Sequence, residues 1–313
     1  MESDQKRFLV AVDGSNQSLE AVRYICRLFP SENLEITLFH VLSKIPEFFY
    51  DIGKNSQYHQ AIVDIRGWER ALQDSINRFM SEAREALIDS GLPEKAVTIY
   101  IHERREGISR DIIAESHKGY SGMVFGRSGL SKFKDFIIGS VANKLMDTVR
   151  HLPISAVGGK PNSEKVLLAL DESEGAMRAV DFVRTMVDGS ALKVTLFHVV
   201  RGGSIFEQRY EDLLALEQEE SWIEAGKKEM DSVFQEARMR LMKSGLDPKF
   251  LTTKLITGAS SRSGAIINEA KEGGYGTIVV GRKGLSKVKE FIMGRVSRKV
   301  IQMARDHAVW IVN

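Results

Sequence analysis

Met123–Ala142, MVFGRSGLSKFKDFIIGSVA, reads as a short apolar strand running into Gly126 and Gly129, a basic loop, and then Gly139 and Ser140 at the head of a helix. This is the outline of an anion site. Glycine lets backbone N–H groups approach an anion, and a helix start supplies unpaired donors at the positive end of its dipole. The stretch returns as Ile278–Ser297, IVVGRKGLSKVKEFIMGRVS, with Arg295 where the first copy has Ser140.

The rest of the chain repeats with it. LEITLFHVL (34–42) returns as LKVTLFHVV (192–200), Asp13–Val22 as Asp171–Val180, Trp68 as Trp222, and Ser90-Gly91-Leu92 as Ser244-Gly245-Leu246. A chain of 313 residues suits two domains of about 150 residues each. The boundaries fall at 1–158 and 163–313, with GGKPNSE (158–164) as a short linker.

Strand and helix alternate within each copy. In the first, RFLVAV (7–12) stops at the turn Asp13-Gly14-Ser15, and a helix with Leu19, Val22, Ile25 and Cys26 on one face runs from Asn16 to Phe29, ending at Pro30. A long helix from Tyr58 to Asp89 carries Ile62, Ile65, Leu72, Ile76, Phe79, Ala83 and Leu87 at helical spacing. VTIYI (97–101), SGMVF (121–125) and ISAV (154–157) read as further strands, with helices over Ser109–His117 and from Gly139 to His151. KVLLALDES opens the second copy and AVWIV (308–312) closes it. The alternation predicts two doubly wound α/β domains, each a parallel sheet with helices on both faces.

The composition is that of an ordinary globular protein, and a net charge of +2 gives no global case for nucleic acid or an anionic membrane. The single cysteine, Cys26, excludes an intramolecular disulfide and a thiolate cluster, and it reads as a buried structural thiol on an apolar helix face. The charged N-terminus, the lack of a membrane-length apolar run and the cysteine usage together predict a cytoplasmic protein.

In an open parallel sheet the ligand sits beyond the carboxyl ends of the strands, where strand order reverses. Asp13 and Gly126 end the first and fourth strands and are the places to look. A carboxylate there can accept ribose hydroxyls or help hold Mg²⁺; it can equally be a helix cap. Ser140 can donate its hydroxyl and N–H to a terminal phosphate, with Gly126 and Gly129 closing around the others, and the competing reading is a glycine turn with an ordinary cap. The chain has neither a G-x-x-x-x-G-K-[ST] loop nor a G-x-G-x-x-G opening a helix after a strand, which argues against a Walker-type hydrolase and a dinucleotide oxidoreductase.

Asp13 after a first strand, Val41 at the end of Phe39-His40-Val41, and Gly126-x2-Gly129-x9-Gly139-Ser140 resemble the ATP-binding subclass of the universal stress protein family. The resemblance spans both halves. It implies five parallel strands per domain ordered 3-2-1-4-5, with ATP and Mg²⁺ as cofactors. It carries Asp13 over as ribose partner or indirect metal contact, the Val41 backbone as adenine contact, Gly126, Gly129, Gly139 and Ser140 as phosphate ligands, and Val12 and Val141 as pocket lining. It also implies pairing of the two halves through their last strands as an internal pseudo-dimer, and leaves room for a homodimer and an unidentified protein partner.

In the second copy Asp171, Val199, Gly281, Gly284 and Gly294 match, but Arg295 replaces the hydroxyl. It can fork onto a phosphate, fill the phosphate's space, or sit exposed on a degenerate copy. Weaker or altered nucleotide binding is therefore expected in the second domain. Arg127 and Arg282, with Lys132, Lys134, Lys287 and Lys289, can neutralise phosphate charge or be solvated surface groups balanced by Asp135 and Glu290. Phe136, Ile137, Ile138 and their matches Phe291, Ile292 and Met293 are expected to pack beneath the loops. His40 and His198 read as structural, Trp68 and Trp222 as core or interdomain contacts, and Phe48, Phe49 and Tyr50 as a cover for nucleotide or partner. The function expected is an ATP-binding regulatory protein of the stress response, binding mainly through the first domain. The alternatives are a slow ATPase or related nucleotide-dependent enzyme, and a non-binding dimerisation scaffold.

Overall fold

The computed structural model describes residues 5–29, 31–43, 59–129, 138–161, 164–187, 192–201, 213–284 and 293–313. The first half runs β1 (Lys6–Ala11), α1 (Asn16–Leu28), β2 (Leu34–Leu42), α2 (His59–Asp89), β3 (Val97–Glu103), α3 (Ile108–Ser116), β4 (Gly122–Gly126), α4 (Ser140–Thr148) and β5 (Ile154–Val157). The second half repeats it as β6 (Lys165–Ala169), α5 (Glu174–Val187), β7 (Lys193–Arg201), α6 (Leu213–Lys243), β8 (Leu251–Ala259), α7 (Arg262–Glu272), β9 (Thr277–Gly281), α8 (Arg295–Met303) and β10 (Ala308–Val312). The expected elements are all present, with ends shifted by a residue or two except at the last helix of the first half, which stops at Thr148.

The halves form one sheet of ten strands, ordered β3-β2-β1-β4-β5-β10-β9-β6-β7-β8. Each half is parallel throughout in the order 3-2-1-4-5. The join is antiparallel, with Ala308 opposite Val157 and Ile311 opposite Ile154. Internal pairing uses both last-strand edges, and β3 and β8 become the outer edges of the sheet.

The short strands are apolar on both faces because helices cover both. One core layer joins β-strand residues such as Val10 and Leu38 to Val22 and Ile25 of α1, Met80 and Leu87 of α2, and their counterparts in α5 and α6. The other joins Leu9 and Phe125 to Ile112 of α3, Leu145 of α4, Ile266 of α7 and Val300 of α8. Trp310, fully buried at 0% exposure, sits where the halves meet: its ring lies against Phe8, Phe29 and Phe182, and its indole N–H donates to Tyr24 Oη at 2.9 Å. Tyr24 in turn pairs with Thr277 at 2.9 Å, and burial raises its phenol pKa well above the ordinary value. One aromatic cluster thus joins the two halves within the first of these layers.

The linker begins as part of this junction. Gly158 donates its N–H to His307 O at 3.1 Å, and a Cβ on it would stand 2.2 Å from Arg305 O, so only glycine allows this approach. One side-chain expectation changes here. Trp68 is 57% exposed, neither core nor interdomain contact, and the Trp222 side chain lies outside the described residues. Cys26 is half-buried against the core, and burial pushes its thiol up to about 11, so it is a poor nucleophile. No described helix is long and apolar enough to cross a membrane.

Candidate functional site

The reversal of strand order lies between the parallel neighbours β1 and β4, and the sequence motif gathers there. β1 runs on into Val12-Asp13, and a left-handed Gly14 (φ 84°) turns the chain into α1. The α1 cap is Ser15, whose hydroxyl accepts from Ser18 N at 3.1 Å; Asp13 is not the cap. Asp13 Oδ1 instead accepts from Ser15 N at 3.0 Å, a short turn that fixes the carboxylate. Its other oxygen lies against Gly129, so closely that a Cβ on Gly129 would stand 2.4 Å from Oδ2. The requirement for glycine at 129 is therefore steric.

Gly126 ends β4 against the start of α1, its missing Cβ 3.1 Å from the Gln17 carbonyl carbon. Gly139 returns to this loop, its N–H donating to Arg127 O at 3.0 Å. It caps α4 with no side-chain hydrogen bond, and Asn143 N reaches back to Gly139 O at 2.8 Å. The helices α1 and α7 have serine oxygens on their first-turn donors; α4 and α8 have glycine caps without one. Their leading N–H groups, with Ser140 first on α4, receive no side-chain hydrogen bond from the cap residue.

Val41 is buried near the end of β2, beside His40, whose Nδ1 bonds Val12 O at 2.8 Å. Burial lowers the His40 pKa, so the ring is neutral near pH 7 and donates this bond. His198 repeats it with Leu170 O at 2.7 Å and a pKa likewise lowered by burial. Both histidines tie β1-type and β2-type strand ends together, as a structural role requires. Val141 is partly buried on α4 against the core, and Ile138 and Met293 also pack inward. Lys132, Lys134, Asp135, Phe136 and Ile137, with Lys287, Lys289, Glu290, Phe291 and Ile292, lie outside the described residues, as do Pro30 and the cluster Phe48, Phe49 and Tyr50.

The second half reproduces the frame. A Cβ on Gly284 would stand 2.3 Å from Asp171 Oδ2, and Gly294 N donates to Arg282 O at 2.9 Å. Asp171, Val199, Gly281, Gly284, Gly294 and Arg295 all line one cavity of about 470 Å³, walled on the apolar side by Phe197, Ile266 and Val280. Among the lining residues that sequence reasoning missed are Arg262, Lys283, Ser297 and Lys299. Ser297 sits two residues past Arg295 and donates to Gly281 O at 2.7 Å. Helical periodicity from Arg295 would have placed Lys299 on the same face, but Arg262 arrives from α7, with no local signal.

Arg127 and Arg282 behave in neither of the expected ways. They are 6% and 5% exposed, and each reaches into the other half. Arg282 donates from Nη1 to Met146 O at 2.7 Å and from Nη2 to Val149 O at 2.5 Å, at the C-terminal end of α4, and from Nε to Asn313 Oδ1. Arg127 Nη2 donates to Gln302 O at 2.7 Å at the C-terminal end of α8, and its Nε is buried without a partner. A cation at a helix C-terminus meets unpaired carbonyls and the negative end of the dipole, which explains why a guanidinium is tolerated there. Burial, with Arg150 nearby, pushes Arg282 down to about 10, and burial lowers Arg127 as well. Each glycine loop is thereby braced against the C-terminal end of the helix that follows the other half's glycine loop. Only the Arg127 backbone contributes to the first-half cradle.

The chain is a doubled, doubly wound α/β sheet with a glycine loop at each switch point, the place where open sheets of this kind hold ligands. The chain belongs to the universal stress protein family, whose profile matches residues 5–154 and again 162–312. It is similar to universal stress protein YxiE of Bacillus subtilis, 26% identical over 144 residues, covering 45% of this chain and 93% of that protein. Among solved structures, a universal stress protein from Archaeoglobus fulgidus superposes with a TM-score of 0.65 at 17% identity, over 99% of both chains. A Pseudomonas aeruginosa protein of unknown function reaches 0.60 at 14% identity, over 98% of this chain and 92% of that one. These two likenesses extend the fold over the whole tandem.

Proposed function

We propose that the first half binds ATP and that the chain works as a nucleotide-responsive regulatory protein, not as an efficient enzyme. The observation that carries this reading is the convergence of Asp13, Gly129, Gly139 and the uncapped start of α4 at one strand switch point. Ser140, the N–H groups behind it and the backbone of Gly126 and Gly129 hold phosphates; Asp13 takes the ribose hydroxyls; Val12, Val41 and Val141 line the base and sugar. A Mg²⁺ ion accompanying the nucleotide would be held through its phosphates, with Asp13 in indirect contact, and would supply charge neutralisation there. The neutral, carbonyl-bound His40 is held as a structural group and supplies no base for a phosphate-directed water. Mass spectrometry of small molecules released from purified protein, followed by a turnover assay, tests the reading: adenine nucleotide bound and hardly hydrolysed is the expected result, while a protein that neither carries nor takes up nucleotide refutes it.

A further inference from the structure

The two halves share a frame but not a charge. Around the second-half cavity stand Arg262, Lys283, Arg295 and Lys299, against the single carboxylate of Asp171. The equivalent positions in the first half are Ile108, Ser128, Ser140 and Lys144, against Asp13. Three of four cations are thus particular to the second copy. Lys283, Arg295 and Lys299 all line the cavity, and among the described residues none of the three forms an ion pair with a carboxylate. Arg262 leans over the β7 end, its Nε 3.4 Å from Val199 O.

A triphosphate carries several negative charges, and a site lined by one lysine and one aspartate leaves most of them to a divalent cation. A site with two arginines and two lysines supplies that neutralisation itself, as charge-assisted hydrogen bonds. The cavity's volume, about 470 Å³, is in the range of small-ligand sites, and the Phe197, Val199 and Ile266 wall provides an apolar face for a base.

We propose that the second-half cavity binds a nucleoside triphosphate without a divalent cation, its arginines and lysines taking the place that Mg²⁺ holds in the first half. The proposal rests on the nucleotide reading above and adds to it an unequal metal requirement within one chain.

The test is calorimetric titration of the full chain with ATP, in EDTA and then in excess Mg²⁺. The expected result is one ATP per chain in EDTA and a second when Mg²⁺ is present. The paired substitution Lys283→Ser with Arg295→Ser, which installs the first half's residues at one half-buried and one exposed position, should weaken the EDTA-resistant binding by about tenfold or more. Arg262→Ile is an independent variant expected to weaken it in the same direction, and unchanged thermal unfolding checks that both variants are folded. Binding seen only with Mg²⁺ overturns the proposal and leaves the nucleotide reading standing. EDTA-resistant binding indifferent to all three substitutions also overturns it. No binding in either condition overturns both.

Discussion

The two halves show which features of a duplicated site are steric and which are chemical. The steric ones are the same twice: a carboxylate pressed on the second glycine, 2.4 Å and 2.3 Å from a hypothetical Cβ, and a glycine cap returning its N–H to the loop at 3.0 Å and 2.9 Å. The chemical ones diverge: a hydroxyl and one lysine in the first half, and arginines, lysines and an extra serine around the cavity of the second. A Cβ at Gly129 or Gly284 would press on the carboxylate beside it, so both frames are sensitive to substitution there. The residues around the frame were free to change the ligand's terms.

The junction differs between halves as well. Trp310 of β10 fills the shared core, whereas its partner position on β5 is Ser155. Trp310→Ala should therefore give the largest loss, about 3–5 kcal/mol in denaturant unfolding, by removing the ring that Phe8, Phe29 and Phe182 pack on. A loss below about 1 kcal/mol would break the view of the junction as one core.

The arginine braces come next. Arg282 satisfies two carbonyls and Asn313, which itself donates to Leu152 O at 2.7 Å; Arg127 satisfies one carbonyl and leaves its Nε orphaned. Arg282→Ala should cost about 3 kcal/mol and Arg127→Ala about 1 kcal/mol, read from parallel urea unfolding curves. Equal costs would show that the two braces are equivalent despite their bonding.

Within the first-half site, Gly129→Ala should weaken ATP binding by about tenfold, because its Cβ displaces the Asp13 carboxylate. Asp13→Ala should do about the same if that carboxylate is what the nucleotide meets, and calorimetry on both variants compares them directly. Ser140→Ala has the smallest expected effect, about threefold, since the helix N–H groups remain and only a hydroxyl is lost. A Ser140→Ala effect exceeding that of Gly129→Ala would shift the weight of the site from its frame to its cap.

Much of this was legible in the chain. The repeat, the strand LEITLFHVL, the helix starts and the glycine positions are local signals, each set by periodicity or by a steric need at one residue, and the structure places them as read. The histidines were also readable, since a strand-end imidazole without a partner in sequence is explained by the Val12 and Leu170 carbonyls. What escaped depends on contacts between halves. Nothing near Arg127 or Arg282 in sequence says that each guanidinium will end on the other half's helix, and a basic residue beside a glycine cradle invites the phosphate reading. Trp68 looked like core because it is large, apolar and on a periodic helix, yet it lies off the buried stripe of Ile76, Met80, Ala83 and Leu87. Arg262 joins the second site only through the fold.

The most direct test of the central claim, that the Asp13 and Gly129 frame with the start of α4 is a nucleotide site, is a crystal structure of the chain grown with ATP and Mg²⁺. The account predicts phosphate density within hydrogen-bond distance of Ser140 and the N–H groups after it, with the ribose against Asp13. Density for nucleotide elsewhere, with the first-half cradle empty, would contradict it.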